Sequence, residues 1–412
     1  MRDKAGRQAA LVGLCVVLVV IFAVVVQHST GKHDEQVAAG PSSTSGAAPS
    51  GDDSSETSSA PAASSPPTSA PSAPSSGGPT PDAAQPNFPI SKLAPGQAPP
   101  QFIIFSFDGA GSAQKWTTFS AAAKKVDARF TGFLTGTYLL TDAAKSAYQG
   151  PGHAPGTSSV GFGGTPQRVA DTVAALNAAK AAGHEVGTHF NGHFCAGAAP
   201  SGKDWTTAQW NSELDQFFTF LASYQSIGSV PGPALTVTAA DIKGERTPCL
   251  EGKPEMFFPA LLAHGLTYDT SLVSSGLVWP KLIQGIWEFY MPYVRIPASG
   301  KSTIAMDYNF WIRFNNGADD PASAPQITQM VLDTYRSMLQ AALAGNHAPL
   351  VIGNHFNDWS GNAFNPAAEQ FMLEACGKQG VVCTTYQHVL EWMGAQDPAV
   401  LQTLSDSPAT VN

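Results

Sequence analysis

The segment QFIIFSFD, residues 101–108, is a mainly apolar run that ends in an aspartate. Short apolar runs bounded by helix-like segments are typical of buried strands in a parallel sheet. The pattern repeats downstream: an amphipathic helix at 165–183 precedes the strand-like run HEVGTHF at 184–190, and another helix precedes PLVIGNHF at 349–356. This alternation predicts an α/β domain over residues 101–396, with helices outside a parallel sheet that is open or closed into a barrel.

The composition limits the classes of partner. The chain has 412 residues, a formal net charge of −9 and only 13% charged residues, while its apolar fraction of 43% is sufficient for a large core. Because nucleic-acid binding begins with neutralisation of phosphates, an acidic chain without a basic run does not favour a nucleic-acid partner. No feature of the sequence indicates an oligomeric state.

A membrane anchor is predicted at residues 9–27. Residues 9–26 form an unbroken apolar run that follows three cationic residues, and about 20 apolar residues span a bilayer as a helix. Cationic flanks stay in the cytoplasm, so residues 1–8 are expected inside and the domain outside a single-pass cell membrane. A cleaved signal peptide would release a secreted domain instead, but it has a shorter apolar core and a small-residue cleavage site.

Two further segments flank the predicted domain. Residues 28–100 are rich in Ser, Pro, Ala and Gly and lack the apolar surface that folding requires. We therefore predict a disordered linker over 28–100, and we assign residues 397–412 to a C-terminal tail.

Polar side chains stand at or near the ends of five predicted strands. In chain order they are Asp108, the pair His189 and His193, Arg246, Asp269 and His355. Each has an ordinary explanation when taken singly, as a turn residue, a structural ion pair or a core histidine. Since polar residues at the carboxyl ends of strands carry the chemistry in such barrels, the set as a whole predicts a functional site.

The two histidines suggest a metal. Imidazole is a ligand typical of zinc, and a catalytic zinc usually has three protein ligands and an open position. A zincin is disfavoured, because His189 and His193 enclose Phe190, Asn191 and Gly192 where a zincin has a glutamate on a helix.

Five ordered motifs resemble those of the carbohydrate esterase family 4 polysaccharide deacetylases, which have the NodB-homology fold. They are FSFDG (105–109), THFNGH (188–193), RTP (246–248), YDTS (268–271) and the strand that ends in His355. The resemblance implies a distorted (β/α)7-type barrel, a divalent metal, most often Zn²⁺, and hydrolysis of acetyl groups on an acetylated glycan polymer. The GNHFNDW segment and longer inserts look nearer to the chitin-deacetylase-like branch.

The resemblance also implies roles for individual residues. His189 and His193 would hold the metal, Asp108 would be the general base, and Arg246 would pair with Asp108 and keep it ionised.

The remaining roles concern the leaving group and the substrate. His355 would be the general acid, and Asp269 would orient and charge it. The backbone amide near Cys249 would donate to the oxyanion. Trp359 is a candidate for stacking on a sugar face, and Asp307 with Tyr308 is expected only to border the cleft.

One departure from the family pattern weakens the metal site. The family normally has a second aspartate as third ligand where this chain has Gly109. Water or Asn191 would then complete a weaker site, Asp108 would turn to the metal, or the protein would bind glycan without turnover. Restoring an aspartate at 109 is expected to raise metal affinity. The family's leucine before the acid histidine is Gly353 here, so the acetyl pocket is expected to differ.

Four cysteines lie outside the predicted anchor, and four cysteines allow three pairings. We expect Cys376 to pair with Cys383 and Cys195 with Cys249, because the latter two follow motifs that should converge on one face. A thiolate metal site is the alternative, although an oxidising compartment favours disulfides.

Overall fold

The computed structural model describes residues 85–412. The predicted anchor at 9–27 and most of the predicted linker lie outside these residues. Within the described part, no helix is both long and apolar enough to cross a bilayer.

Strands and helices alternate along the described chain. The strands are β1 (Gln101–Gly109), β2 (Thr131–Leu134), β3 (Glu185–Thr188), β4 (Gly244–Glu245), β5 (Tyr268–Asp269), β6 (Val273–Ser275), β7 (Lys281–Ile283), β8 (Ile286–Glu288), β9 (Met291–Arg295), β10 (Ser302–Ile304), β11 (Leu350–His355) and β12 (Val381–Cys383). The helices are α1 (Ala113–Lys125), α2 (Pro166–Ala181), α3 (Thr207–Gly228), α4 (Pro254–Ala263), α5 (Asp307–Asn315), α6 (Ala324–Ala344), α7 (Trp359–Asn362), α8 (Phe364–Ala375), α9 (Tyr386–Gly394) and α10 (Pro398–Ser405).

The main sheet is a curled, mostly parallel half-barrel. Its strand order is β11-β1-β2-β3-β4-β5-β8-β7, and β12 also pairs with β1. Only the β7–β8 hairpin is antiparallel. A second sheet, β10-β9-β6, is linked to the β11 edge through a bridge between Met306 and Gly353. The predicted α/β class is confirmed, whereas the described strands form a curled open sheet rather than a closed hydrogen-bonded ring.

The run at 101–108 is the centre of the core. Phe102 to Phe107 are completely buried, as expected for a strand covered on both faces. Helix α2 begins where the sequence predicts, because the Thr165 hydroxyl accepts from the backbone N–H of Arg168 and Pro166 occupies the first turn. It ends before Gly183, whose φ of +83° is the left-handed conformation that glycine adopts without strain.

The strand register brings the carboxyl ends together. Asp108 pairs with His355 of β11 on one side and with Phe133 of β2 on the other. On β3, Thr188 pairs with Glu245 of β4. The residues that follow these strand ends therefore meet at one edge of the sheet.

Chain on both sides of the predicted domain packs against it. The Asn87 amide donates to the carbonyls of Asp127 and Cys383 at 2.6 and 3.0 Å. At the other end, helix α10 lies within the predicted tail and Thr410 bridges Leu277. Residues 85–100 and 397–412 thus include segments that belong to the folded body.

Candidate active site

Arg246 and Asp108 form a buried ion pair at the centre of the site. Arg246 Nη1 donates to Asp108 Oδ1 at 2.7 Å, and Nη2 donates to Ser106 Oγ and Tyr386 Oη, both at 2.9 Å. Burial alone would raise the pKa of Asp108, but the Arg246 guanidinium and the nearby histidines hold that pKa below its ordinary value. Asp108 is therefore an ionised carboxylate whose Oδ1 is fixed by Arg246.

His189 has the arrangement of a metal ligand. Its Nδ1–H donates to the carbonyl of Arg246 at 2.7 Å, which leaves the lone pair on Nε2. Nε2 is buried and has no hydrogen-bond partner among residues 85–412. A buried lone pair without a donor is costly unless a cation or ligand meets it.

His193 lies beside His189, with 5.1 Å between the ring centroids. Burial lowers the pKa of His189 to about 4, and burial together with His189 lowers the pKa of His193 to about 3. Both imidazoles are consequently neutral at pH 7, which is the form that binds a metal. Two neutral imidazoles side by side are donors of the type that a divalent metal such as zinc prefers.

A third protein ligand is not supplied where the family pattern places it. Gly109 has φ +83° and carries no ligand atom. The Asn191 amide nitrogen donates to the Glu213 carbonyl and to Glu213 Oε2 at 2.7 and 2.9 Å. A Cβ on Gly136 would lie 2.2 Å from Asn191 Oδ1, so this oxygen packs against Gly136. Asn191 Oδ1 has no hydrogen-bond partner among residues 85–412, and completion of the metal site by Asn191 stays a prediction.

Two disulfides form as predicted, Cys195–Cys249 and Cys376–Cys383. Ligand atoms of His193, Cys195 and Cys249 lie within 4.8 Å of one another. Since the two sulfurs are bonded to each other and only a thiolate is a strong metal ligand, the structure does not favour the alternative thiolate site. The bridge links the segment after His193 to the turn after Arg246, where Cys249 has a left-handed φ of 58°.

His355 is oriented by Asp307. Its Nδ1 donates to Asp307 Oδ1 at 2.7 Å, and its main-chain N–H donates to Oδ2 at 2.6 Å. Burial opposes the charged imidazolium, but the carboxylate of Asp307 outweighs it and raises the pKa of His355. Nε2 is left 4.0 Å from Asp108 Oδ2. His355 thus carries its proton toward Asp108, in the arrangement of a general acid beside a base.

The orienting role predicted for Asp269 is wrong, because Asp307 occupies that position. Asp269 is fully buried on β5 and pairs in register with Glu245 of β4 and Glu288 of β8. Ser271 Oγ donates to Asp269 Oδ1 at 2.5 Å. Burial and the neighbouring Asp269 raise the pKa of Glu245 and Glu288 well above the ordinary value. Asp269 is therefore part of a buried row of carboxyl groups inside the sheet.

Aromatic side chains border His355. Trp359 lies 5.1 Å from the His355 ring and stacks on Trp311 at 4.9 Å with an interplanar angle of 11°. Tyr308 meets Trp359 edge-on at 5.6 Å. These rings form an aromatic cluster beside His355, and the sequence analysis does not single out Trp311.

The space around Gly353, two residues before His355, is filled differently from the family pattern. A Cβ on Gly353 would lie 2.9 Å from the terminal methyl groups of both Met291 and Met306. Two flexible methionines therefore take the space that a leucine would occupy at position 353.

A cleft of about 450 Å³ opens at Asp108 on the side of Gly109. Tyr138 overlies its floor, since a Cβ on Gly109 would meet the Tyr138 ring at 3.6 Å. Arg168 and Phe162 line the opposite wall. The cleft is large enough for a small polar ligand group to reach Asp108.

The fold was compared with known proteins. No family model matches the chain, and no curated protein matches it. Among solved structures, one from Mycobacterium smegmatis, assigned as a polysaccharide deacetylase, is 15% identical with a TM-score of 0.45, covering 78% of this chain and 98% of its own. A family 4 carbohydrate esterase from Streptomyces lividans is 14% identical with a TM-score of 0.34 and coverages of 69% and 91%.

A third similar structure is a pseudoenzyme of the same esterase family from Bacillus anthracis, 10% identical with a TM-score of 0.37 and coverages of 72% and 66%. These scores are too low to carry an argument about function, which rests below on the site itself. None of the three descriptions mentions chitin, so nearness to the chitin-deacetylase branch stays a prediction. The structures that this chain is similar to are polysaccharide deacetylases and esterases of carbohydrate esterase family 4, the family that its five motifs resemble.

Proposed function

We propose that the protein is a metal-dependent hydrolase that removes acetyl groups from an acetylated polysaccharide. The observation that carries the proposal is the meeting of Asp108, His189, His193 and His355 at one edge of the sheet, with Arg246 and Asp307 fixing the base and the acid. A divalent ion held by the two histidines, with Zn²⁺ the best match to their chemistry, would polarise the acetyl carbonyl and acidify a water.

Two side chains of the protein, Asp108 and His355, then carry out the two proton transfers. Asp108 is ionised and presents Oδ2, since Oδ1 is held by Arg246, so it accepts the proton of the attacking water. His355 is protonated on Nδ1 against Asp307, and its Nε2 lies on the side of Asp108. As an imidazolium it donates the Nε2 proton to the leaving amine nitrogen, and the amide C–N bond breaks as the acetate forms.

Substrate recognition is proposed to involve the aromatic rings beside His355. Trp359 and Trp311 are only partly buried, and flat aromatic faces suit the apolar faces of sugar rings. The backbone amide of Cys249 is the proposed oxyanion donor, in the turn that the disulfide ties to the metal-binding loop.

An extracytoplasmic location is part of the proposal. Two disulfides in the described domain support an oxidising compartment. Attachment to the cell membrane through residues 9–27 stays a prediction.

The direct test is acetate release from N-acetylglucosamine oligomers with added Zn²⁺ or Co²⁺. We expect turnover that falls by at least about 10²-fold in His355→Ala. The matched control is His264→Ala, because His264 pairs with Asp215 on the surface outside the site. Absence of acetate release from several acetylated glycans, including xylans, would contradict the proposal.

A second candidate function is glycan binding without turnover, and Gly109 is the observation that favours it. Two imidazoles without a third protein ligand are a weak site. Retention on a glycan column without acetate release would support this alternative, while Zn²⁺-dependent turnover that disappears in His355→Ala would exclude it.

A further inference from the structure

Glu213 is a buried carboxylate that faces the loop carrying both histidines. It lies on α3 and is completely buried. Tyr148 Oη donates to its Oε1 at 2.8 Å, and Asn191 Nδ2 donates to its Oε2 at 2.9 Å. Burial raises the pKa of Glu213 to about 7, and its interactions with Tyr148, Asn191 and the main chain of Gly192 offset part of this rise. Among residues 85–412, no Lys, Arg or His side chain forms an ion pair with Glu213.

The loop that Glu213 holds has an unfavourable backbone. Phe190 and His193 have φ values of 53° and 55°, in the left-handed region that residues with a Cβ rarely adopt. Such a backbone conformation is strained and persists only where the surroundings fix it. Asn191 and Gly192, the two residues that Glu213 contacts, lie between them.

The loop is also closely packed at Gly192 and hydrogen-bonded to the segment 136–137. A Cβ on Gly192 would lie 2.3 Å from Tyr148 Oη. Thr137 Oγ1 donates to the Asn191 carbonyl at 3.2 Å, and the Gly136 N–H donates to the Phe190 carbonyl at 2.7 Å. Glu213 is the one acidic side chain among these contacts, and it accepts hydrogen bonds from both the Asn191 amide and the Tyr148 hydroxyl.

We propose that Glu213 is a positioning residue that fixes the separation and direction of His189 and His193 for a divalent metal. The inference rests on the proposed metal-binding role of the two histidines. Glu213 acts through Asn191 and Gly192, and it binds neither the metal nor the substrate. Loss of the carboxylate releases the strained loop, so the two imidazoles no longer converge on one ion.

The test is the affinity of the full-length chain for Zn²⁺, measured by competition with a chromophoric chelator. Glu213→Gln keeps the volume of the side chain. It replaces one acceptor oxygen with an amide N–H₂, which cannot accept a hydrogen bond from Tyr148 or Asn191. We expect Zn²⁺ binding about 10- to 100-fold weaker, the range for losing a group that orients a ligand. The absorption spectrum of bound Co²⁺ should also change, which a general loss of stability would not cause in molecules that stay folded.

Glu185→Gln is the matched control. Glu185 is also buried and accepts from a tyrosine, Tyr268, at 2.8 Å, but it lies at the opposite end of β3 from His189. We expect it to lose stability and to keep the Zn²⁺ affinity of the wild-type chain. Unchanged affinity in a folded Glu213→Gln variant would overturn the inference.

Tyr148→Phe covers the case in which Glu213→Gln does not fold. It removes one donor and leaves the carboxyl group of Glu213 in place, so we expect a smaller but measurable weakening and an altered Co²⁺ spectrum. Wild-type affinity and spectrum in Tyr148→Phe would overturn the inference. If the wild-type chain itself binds neither Zn²⁺ nor Co²⁺, the proposed function fails. If wild type and Glu213→Gln bind equally, only the role of Glu213 fails.

Discussion

Nε2 of His355 lies 4.0 Å from Oδ2 of Asp108, and each side chain is held at its other end by a separate partner. Arg246 holds the carboxylate and Asp307 holds the imidazole. The two residues are direct register partners on β1 and β11, so their spacing is set by the backbone of the sheet. The sheet therefore presents a carboxylate and an imidazole side by side, which are the proposed base and the proposed acid.

Replacement of Asp307 should change the pH dependence of turnover. The carboxylate raises the pKa of His355 against the effect of burial. An acid must be protonated, so activity falls as the pH rises through that pKa, and Asp307→Asn should move this fall to lower pH. We expect kcat/KM to drop by about 10²-fold or more. Asp269→Asn is the control, because Asp269 does not contact His355. If the fall in activity at high pH moved in that variant as well, the role given to Asp307 would be contradicted.

Zn²⁺ affinity should stay nearly constant on acidification from neutral pH. Protons and metal compete for the imidazole lone pairs. Burial lowers the pKa of His189 to about 4 and that of His193 to about 3, so protons compete only in that range. Chelator competition across a pH series measures this. A decline that begins near the ordinary histidine value of about 6.5 would show that the two rings are not buried as described.

Removal of Arg246 should destabilise the fold. Arg246→Met leaves the carboxylate of Asp108 buried without its cation, which costs about 3–5 kcal/mol. Arg336→Met is the matched control, because Arg336 forms an ion pair with Glu374 while its side chain is 37% exposed. Loss of that surface pair should cost only about 0–1 kcal/mol. Urea unfolding measures both, and equal losses would contradict the central role of the buried pair.

An aspartate at position 109 should not rescue the metal site. At φ +83° any residue with a Cβ is strained, so Gly109→Ala and Gly109→Asp should each lose roughly 1–3 kcal/mol of unfolding free energy. The added Cβ faces the Tyr138 ring, so we expect equal Zn²⁺ affinity in the two variants. This revises the gain expected from the family pattern. Tighter binding in Gly109→Asp than in Gly109→Ala would show that the carboxylate reaches the metal.

The two disulfides should differ in their contribution to stability. Cys195–Cys249 spans 54 residues and Cys376–Cys383 spans 7. The chain-entropy relation gives roughly 4 kcal/mol for the longer loop and roughly 2.5 kcal/mol for the shorter one. Paired serine substitutions with thermal unfolding measure the difference. Only the first pair should also weaken Zn²⁺ binding, since Cys195 lies two residues after His193, and weakening in the second pair would contradict this.

The sequence was informative where the chemistry depends on strand ends. Asp108 and His355 each end an apolar run, and parallel pairing places such ends together. Asp307 was judged only a border residue, because its contact with His355 depends on how β10 and α5 cross the end of β11. Asp307 and His355 are 48 residues apart in the sequence, so no local sequence pattern predicts their contact.

The misplacement of Asp269 has a related cause. Its position at a strand end was predicted well, but a strand end has two faces, and which face a side chain takes depends on the register of β4, β5 and β8. Glu213 was missed because a lone glutamate in an amphipathic helix usually faces water. Its burial arises only when α3 packs against the loop at 190–193.

The packing of Asn87 has a consequence for access to substrate. Phe88 packs on Phe102 near the start of β1, whereas Asp108 is at its end. Six residues of strand separate these points by roughly 20 Å. The polypeptide therefore enters the domain at the end of β1 opposite the candidate site. A domain held by its N-terminal side would point that site away from its point of attachment.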